Sequence, residues 1–138
     1  MYKVFFNQKP LILTNEIQEF SDSEPFMFIK YSNAGQIIKA LKSTKNTKVY
    51  LYHKNMAKLW KTFVKQFPVI EAAGGLVERK DNKLLFIFRN NIWDLPKGGV
   101  EKNELIIEAA KREVTEETGV SDLIVQNQLS ETYHIFKK

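Results

Sequence analysis

Glu113, Glu116 and Glu117 stand at i, i+3 and i+4. On a helix they fall at about 0°, 300° and 40° around the axis, so three carboxylates share one edge. Like charges at this spacing oppose the helix by roughly 0.2–0.5 kcal/mol per pair. Glu116 and Glu117 also sit in the last turn before Gly119. There the helix dipole disfavours an anion by roughly 0.3–1 kcal/mol. A hard divalent cation such as Mg²⁺, which takes carboxylate oxygens, waters and substrate phosphates as ligands, would resolve the conflict. The alternative is a set of exposed helix-forming glutamates, and the cluster alone leaves both open.

The elements that must position these carboxylates are readable around them. Asn103 is a suitable N-cap for a helix from Glu104 to Thr118, and Gly119 is the expected residue past its end. Before it, residues 89–102 read as a loop containing Trp93, Pro96, Gly98 and Gly99, the last two as turn glycines. Leu84 to Phe88 is a continuous apolar run suited to a strand buried on both faces. Lys80 to Lys83 reads as a turn. Val69 to Val77 reads as a strand with small residues where another segment comes close. Leu123 to Val125 and Thr132 to Phe136 are expected to form final strands.

The first half reads as a separate small α/β region, with a soft boundary near residue 68. Tyr2–Phe6 and Leu11–Leu13 are strand-like runs flanking a turn at residues 7–10. Phe26–Tyr31 is another strand-like run, and Ser32 or Asn33 can cap a helix through Ile37, Ile38 and Leu41. Val49–Tyr52 is a strand. Met56, Leu59, Trp60, Phe63, Val64 and Phe67 make one apolar stripe at helical period, ended by Pro68. That stripe reads as core packing. His53 and His134 have no partner in view and read as structural or surface residues.

Residues 98–120 carry the pattern G-x5-E-x7-R-E-U-x-E-E-x-G-U, with U a bulky aliphatic: Gly98, Glu104, Arg112, Glu113, Val114, Glu116, Glu117, Gly119 and Val120. This resembles the Nudix box at every defined position. The resemblance implies an α/β/α sandwich around a mixed sheet for residues 69–138, preceded by the α/β region of residues 1–68. It implies a hydrolase cleaving a phosphoanhydride in a nucleoside diphosphate linked to another group, with Mg²⁺ as cofactor or Mn²⁺ in its place. By resemblance, Glu116 and Glu117 are the principal metal ligands, and the Lys97 carbonyl completes the shell. Glu113 is a further ligand or the base that activates water. Arg112 orients Glu113, and Glu104 supports the arrangement. A surface pair of Arg112 with Glu108 is the alternative that spacing permits.

Residues 93–99 (Trp93-Asp94-Leu95-Pro96-Lys97-Gly98-Gly99) are similar to the lead-in of members acting on dinucleoside polyphosphates. Lys97 and Arg89 are candidates for phosphate contact, against ordinary surface charge. Trp93 is a candidate for stacking on a base, against packing beneath the loop. Only 18 residues follow Val120, fewer than the resemblance implies. The remainder is expected from a longer chain, from the first half, or from a second chain in a homodimer. A catalytically silent nucleotide-sensing module, or an inactive fragment of a longer hydrolase, is the other reading.

Composition narrows the setting. The 138 residues include no cysteine, which removes disulfides and thiolate metal sites and fits a cytoplasmic protein. No apolar run approaches the ~20 residues that span a bilayer, so no membrane partner is expected. The net charge of +5 comes from lysines scattered singly along the chain. Without a compact basic run interleaved with aromatics, the expected partner is a small phosphorylated molecule and not a nucleic acid.

Overall fold

The computed structural model describes residues 1–136. The chain forms two compact units: Met1–Val69 with the segment beginning at Leu129, and Ile70–Gln128. Both are mixtures of helix and strand, and the larger sheet is mixed, as an α+β fold requires. The first boundary falls within two residues of the Pro68 break. Among the described residues no helix is long and apolar enough to cross a membrane.

In the first unit, β1 (Tyr2–Phe6) turns back on β2 (Lys9–Thr14) through Asn7, whose φ of 55° suits an asparagine. Pro10, expected in the turn, lies inside β2 opposite Phe5. Next come β3 (Phe26–Phe28), a 3-10 turn Ile29–Tyr31, α1 (Ala34–Lys42), β4 (Val49–Tyr52) and α2 (Met56–Gln66). The Phe26–Tyr31 run is therefore strand only for its first half. Asn33 caps α1 reciprocally: its Oδ1 accepts from Gln36 N at 2.9 Å, and Gln36 Oε1 accepts from Asn33 N at 2.9 Å.

The sheet order is β3-β4-β2-β1-β9, with β9 (Tyr133–Ile135) parallel to β1. The residues expected to close the second half thus complete the sheet of the first. Alternation points Val4, Leu11, Leu13, Val49 and Leu51 to one face. There they meet Ile37 and Leu41 of α1 and Leu59 and Phe63 of α2. Each such side chain stabilises by roughly 1.5–3 kcal/mol when fully buried.

The second unit is smaller. β5 (Ala72–Gly74) pairs antiparallel with β8 (Lys97–Gly99), and β6 (Ile87–Arg89) with β7 (Ile92–Asp94). The expected loop 89–102 therefore holds two strands. Asn90 and Asn91, at φ 54° and 60°, make the two-residue turn between β6 and β7. The turn at Lys80–Lys83 forms as expected, with Asn82 at φ 64°. The helix α3 (Ile106–Thr118) buries Ala109 and Val114 and packs on β5 and β8.

Three expectations fail in this unit. The Leu84–Phe88 run is not buried: Leu84 is 48% and Phe88 56% exposed, because the one helix of the unit covers the other strand pair. Leu123–Val125 is not a strand, and Ile124 is 88% exposed. Asn103 does not cap α3: it stands at φ 63°, and Leu105 is the cap residue, with Glu108 Oε2 accepting from its N–H at 3.4 Å.

Candidate functional site

Docking of α3 onto β5 and β8 sets the site. With Ala109 and Val114 turned into the strands, Glu113 and Glu117 are carried to the Lys97–Gly98 backbone. Glu117 Oε2 accepts from Lys97 N at 3.1 Å. The Glu113 carboxylate lies where a Cβ at Gly98 would be, so any larger residue there would displace that carboxylate. Gly98 and Gly99 are strand residues and not turns, and what marks position 98 is this close approach. Gly119 alone of the three has a left-handed φ, 75°, at the end of α3.

Arg112 ties the acids together. Its Nε and Nη2 donate to the two oxygens of Glu104 at 2.7 and 2.9 Å, a bidentate pair. Nη1 donates to Glu113 Oε1 at 2.7 Å and to Glu116 Oε2 at 3.2 Å, and Nη2 also reaches the Gly99 carbonyl at 2.9 Å. Glu108, the alternative i−4 partner that spacing permits, is not among them. Glu104 lies before α3 instead of in its first turn, and its carboxylate also accepts from Glu101 N at 2.9 Å. The Arg112 guanidinium, helped by that amide, holds the Glu104 carboxyl down to about 2. The same contacts raise Arg112 above its ordinary value.

The residues upstream divide. Arg89, at the end of β6, pairs with Glu117 at 3.3 Å, an interaction across 28 positions that spacing could not have disclosed. The Lys97 ammonium contacts Asp94 at 2.9 and 3.0 Å and lowers the Asp94 carboxyl below its usual range. Trp93 is 69% exposed beside Phe88, with ring centroids 4.8 Å apart, so it is not packed beneath a loop. His53 and His134 lie in the first unit. His53 Nδ1 accepts from Asn55 N, and His134 stacks on Phe5.

The donors fit a hard divalent cation. They are carboxylates only, two of them abut the Lys97–Gly98 backbone, and the space at Gly98 is reserved for one of them. Among the described residues no three acidic or histidine side chains already stand as a metal cage. Arg112 and Arg89 supply the positive charge the cluster demands.

Glu104, Glu113 and Glu116 are thus gathered around Arg112 on a helix packed against β5 and β8. The profile of the NUDIX domain family matches residues 69–137, half of the chain, and the chain belongs to that family. The chain is also similar to the RNA pyrophosphohydrolase of Pelagibacter ubique (strain HTCC1062), 38% identical over 60 residues. That stretch covers 41% of this chain and 38% of that protein, so the chain spans about two fifths of the relative's length. No solved structure matches.

Proposed function

We propose that this chain hydrolyses a phosphoanhydride bond in a nucleoside diphosphate derivative with the help of a divalent metal, Mg²⁺ or Mn²⁺. The observation that carries it is the convergence of Glu113 and Glu117 on the Lys97–Gly98 backbone, with Arg112 bracing Glu104, Glu113 and Glu116. Glu113, Glu116 and Glu117, with the Lys97 carbonyl, are the groups that would hold the cation. When bound, the metal would offset phosphate charge and lower the pKa of a coordinated water.

Within this reading Arg112 positions Glu113, and Glu104 fixes Arg112. Glu113 serves as a ligand or takes the proton from the attacking water. In the same reading Arg89 and Lys97 exchange their carboxylate partners, Glu117 and Asp94, for substrate phosphates, and the exposed Trp93 stacks on a base. The relative's name supports including the 5′ end of an RNA among the diphosphate derivatives to be tried. A cytoplasmic setting belongs to the same reading. So does a homodimer, which would cover the exposed Leu84, Phe86 and Phe88.

The test is incubation with nucleoside triphosphates, sugar nucleotides, dinucleoside polyphosphates, dinucleotide cofactors and 5′-triphosphate RNA, in Mg²⁺ and in EDTA. Product formation in Mg²⁺, abolished in Glu116→Gln and Glu117→Gln, is the expected result. Tight nucleotide binding in EDTA with no turnover in Mg²⁺ would replace this reading with a sensing module.

A further inference from the structure

Charge is divided unevenly along the chain. Residues 1–69 hold eleven lysines against four acids, a net of +7, whereas residues 70–128 hold eight basic against eleven acidic residues, a net of −3. All four acids of the first segment fall between Glu16 and Glu24, in the connection from β2 to β3. A basic module beside an acidic one is the electrostatic footprint of polyanion binding.

The sheet of this basic unit has one face bare of helices. Both α1 and α2 pack on the face carrying Leu11, Leu13, Val49 and Leu51. Alternation sends the intervening residues the other way. In register these are Phe26 and Phe28 on β3 beside the half-buried Tyr50 and Tyr52 on β4, with Ile12 and Thr14 of β2 buried behind them at the centre of the face. Their rings sit 5.3–6.3 Å apart, and Phe28 is 49% exposed. Across the sheet, Phe5 stacks on His134 at 5.7 Å.

Lysines alternate with these rings. Lys3 lies over Phe5 at 5.2 Å, Lys48 over Tyr50 at 5.6 Å and Lys30 over the exposed Tyr31 at 5.6 Å. Lys48 is paired with Glu24 at 3.7 Å; Lys3 and Lys30 have no ion pair among the described residues. The linear sequence hides this because each lysine lies one or two residues from its ring, while the rings themselves are gathered from separate strands.

We propose that this face, built on Phe26, Phe28, Tyr50 and Tyr52 with Lys3 and Lys30 at its margins, binds single-stranded nucleic acid. Exposed rings stack on unpaired bases of any identity, while ammonium groups meet the phosphates. A duplex keeps its bases stacked inside and cannot use the rings. The proposal revises the expectation of a small-molecule partner only and does not depend on the catalytic reading.

The test is fluorescence polarisation of the full chain with labelled single-stranded RNA and DNA oligonucleotides bearing a 5′ hydroxyl, in EDTA. Such probes have no phosphoanhydride, so the carboxylate site cannot account for binding. Phe28→Ala and Tyr31→Ala, both at exposed positions, are expected to weaken binding by roughly tenfold each, the scale of one lost stacking contact. Removing Lys39 and Lys61, which lie on α1 and α2, should leave it within about twofold, and circular dichroism should show every variant folded. The proposal is overturned if the wild type binds no tighter than on the order of 10⁻⁴ M at low salt, the weak limit of non-specific binding. Equal affinity for a duplex, or equal losses from helix lysines and rings, would overturn it too, leaving only diffuse attraction of a polyanion.

Discussion

Gly74 lies 24 positions before Gly98 and outside the box, yet the structure makes it a determinant of the site. A Cβ there would stand 2.5 Å from Lys97 Cβ and 2.7 Å from Lys97 Cα, and would strike the Pro96 carbonyl oxygen. These are mainly backbone atoms of the paired strand, so a rotamer change cannot relieve them. Relief to ordinary contact separation requires β8 to move by roughly 1 Å. Overpacking of this kind costs typically 1–3 kcal/mol, or roughly 5–20 °C in Tm for a unit of this size. The strand that moves carries the Lys97 amide bonded to Glu117 and the Gly98 space filled by Glu113. A shift near 1 Å can lower kcat/KM on the order of 10²-fold. Gly99→Ala is the matched control, because a Cβ at Gly99 meets nothing within 4 Å. The assay is thermal unfolding alongside metal-dependent turnover for both variants. Wild-type melting and turnover in Gly74→Ala would refute the reasoning, as would equal damage in Gly99→Ala.

Glu104 gives a pH prediction. Its carboxyl is held at about 2 against an ordinary 4.5, so its stabilising contribution is complete above pH 4.5 and lost as pH falls towards 2. Acid unfolding followed by circular dichroism should therefore show a shallower loss across that window in Glu104→Gln than in the wild type. Asn33→Ala removes the side-chain bond from Asn33 Oδ1 to Gln36 N in the α1 cap and should lower stability by about 1 kcal/mol in urea unfolding. Leu59→Ala empties a fully buried position between α2 and the sheet and should cost roughly 2–5 kcal/mol in the same measurement.

Local pattern disclosed what local physics decides. β1 and β4 occupy the residues their alternation indicates, and the apolar stripe from Met56 marks α2 to within a residue of its end. The acidic edge of α3 was legible from spacing because one helix, Ile106–Thr118, spans all three glutamates. What escaped was set by distant partners. The β9 strand looked like the end of the second half, but its partner is β1, and no short-range signal encodes a parallel pairing. Gly98 looked like a turn residue, whereas it lies in β8 with the Glu113 carboxylate of α3 in the space beside its Cα. The start of α3 was misplaced because Asn103 adopts a left-handed turn, leaving Glu104 before the helix to receive Arg112. The Asn90–Asn91 pair between Phe88 and Ile92 was a readable hairpin signal that the loop assignment passed over.

The pairing of β9 with β1 bears on how the chain is made. Val4 meets Tyr133, a separation of about 130 residues, so one edge of the first sheet stays open until residues 133–135 have been synthesised. The stretch 70–128 leaves the ribosome before that edge closes and can gather its own strands and helix first. A nascent chain stalled anywhere in that stretch would bear a sheet edge at Val4, Phe5 and Phe6, paired with β2 on one side and open on the other, a template for unwanted pairing with its neighbours.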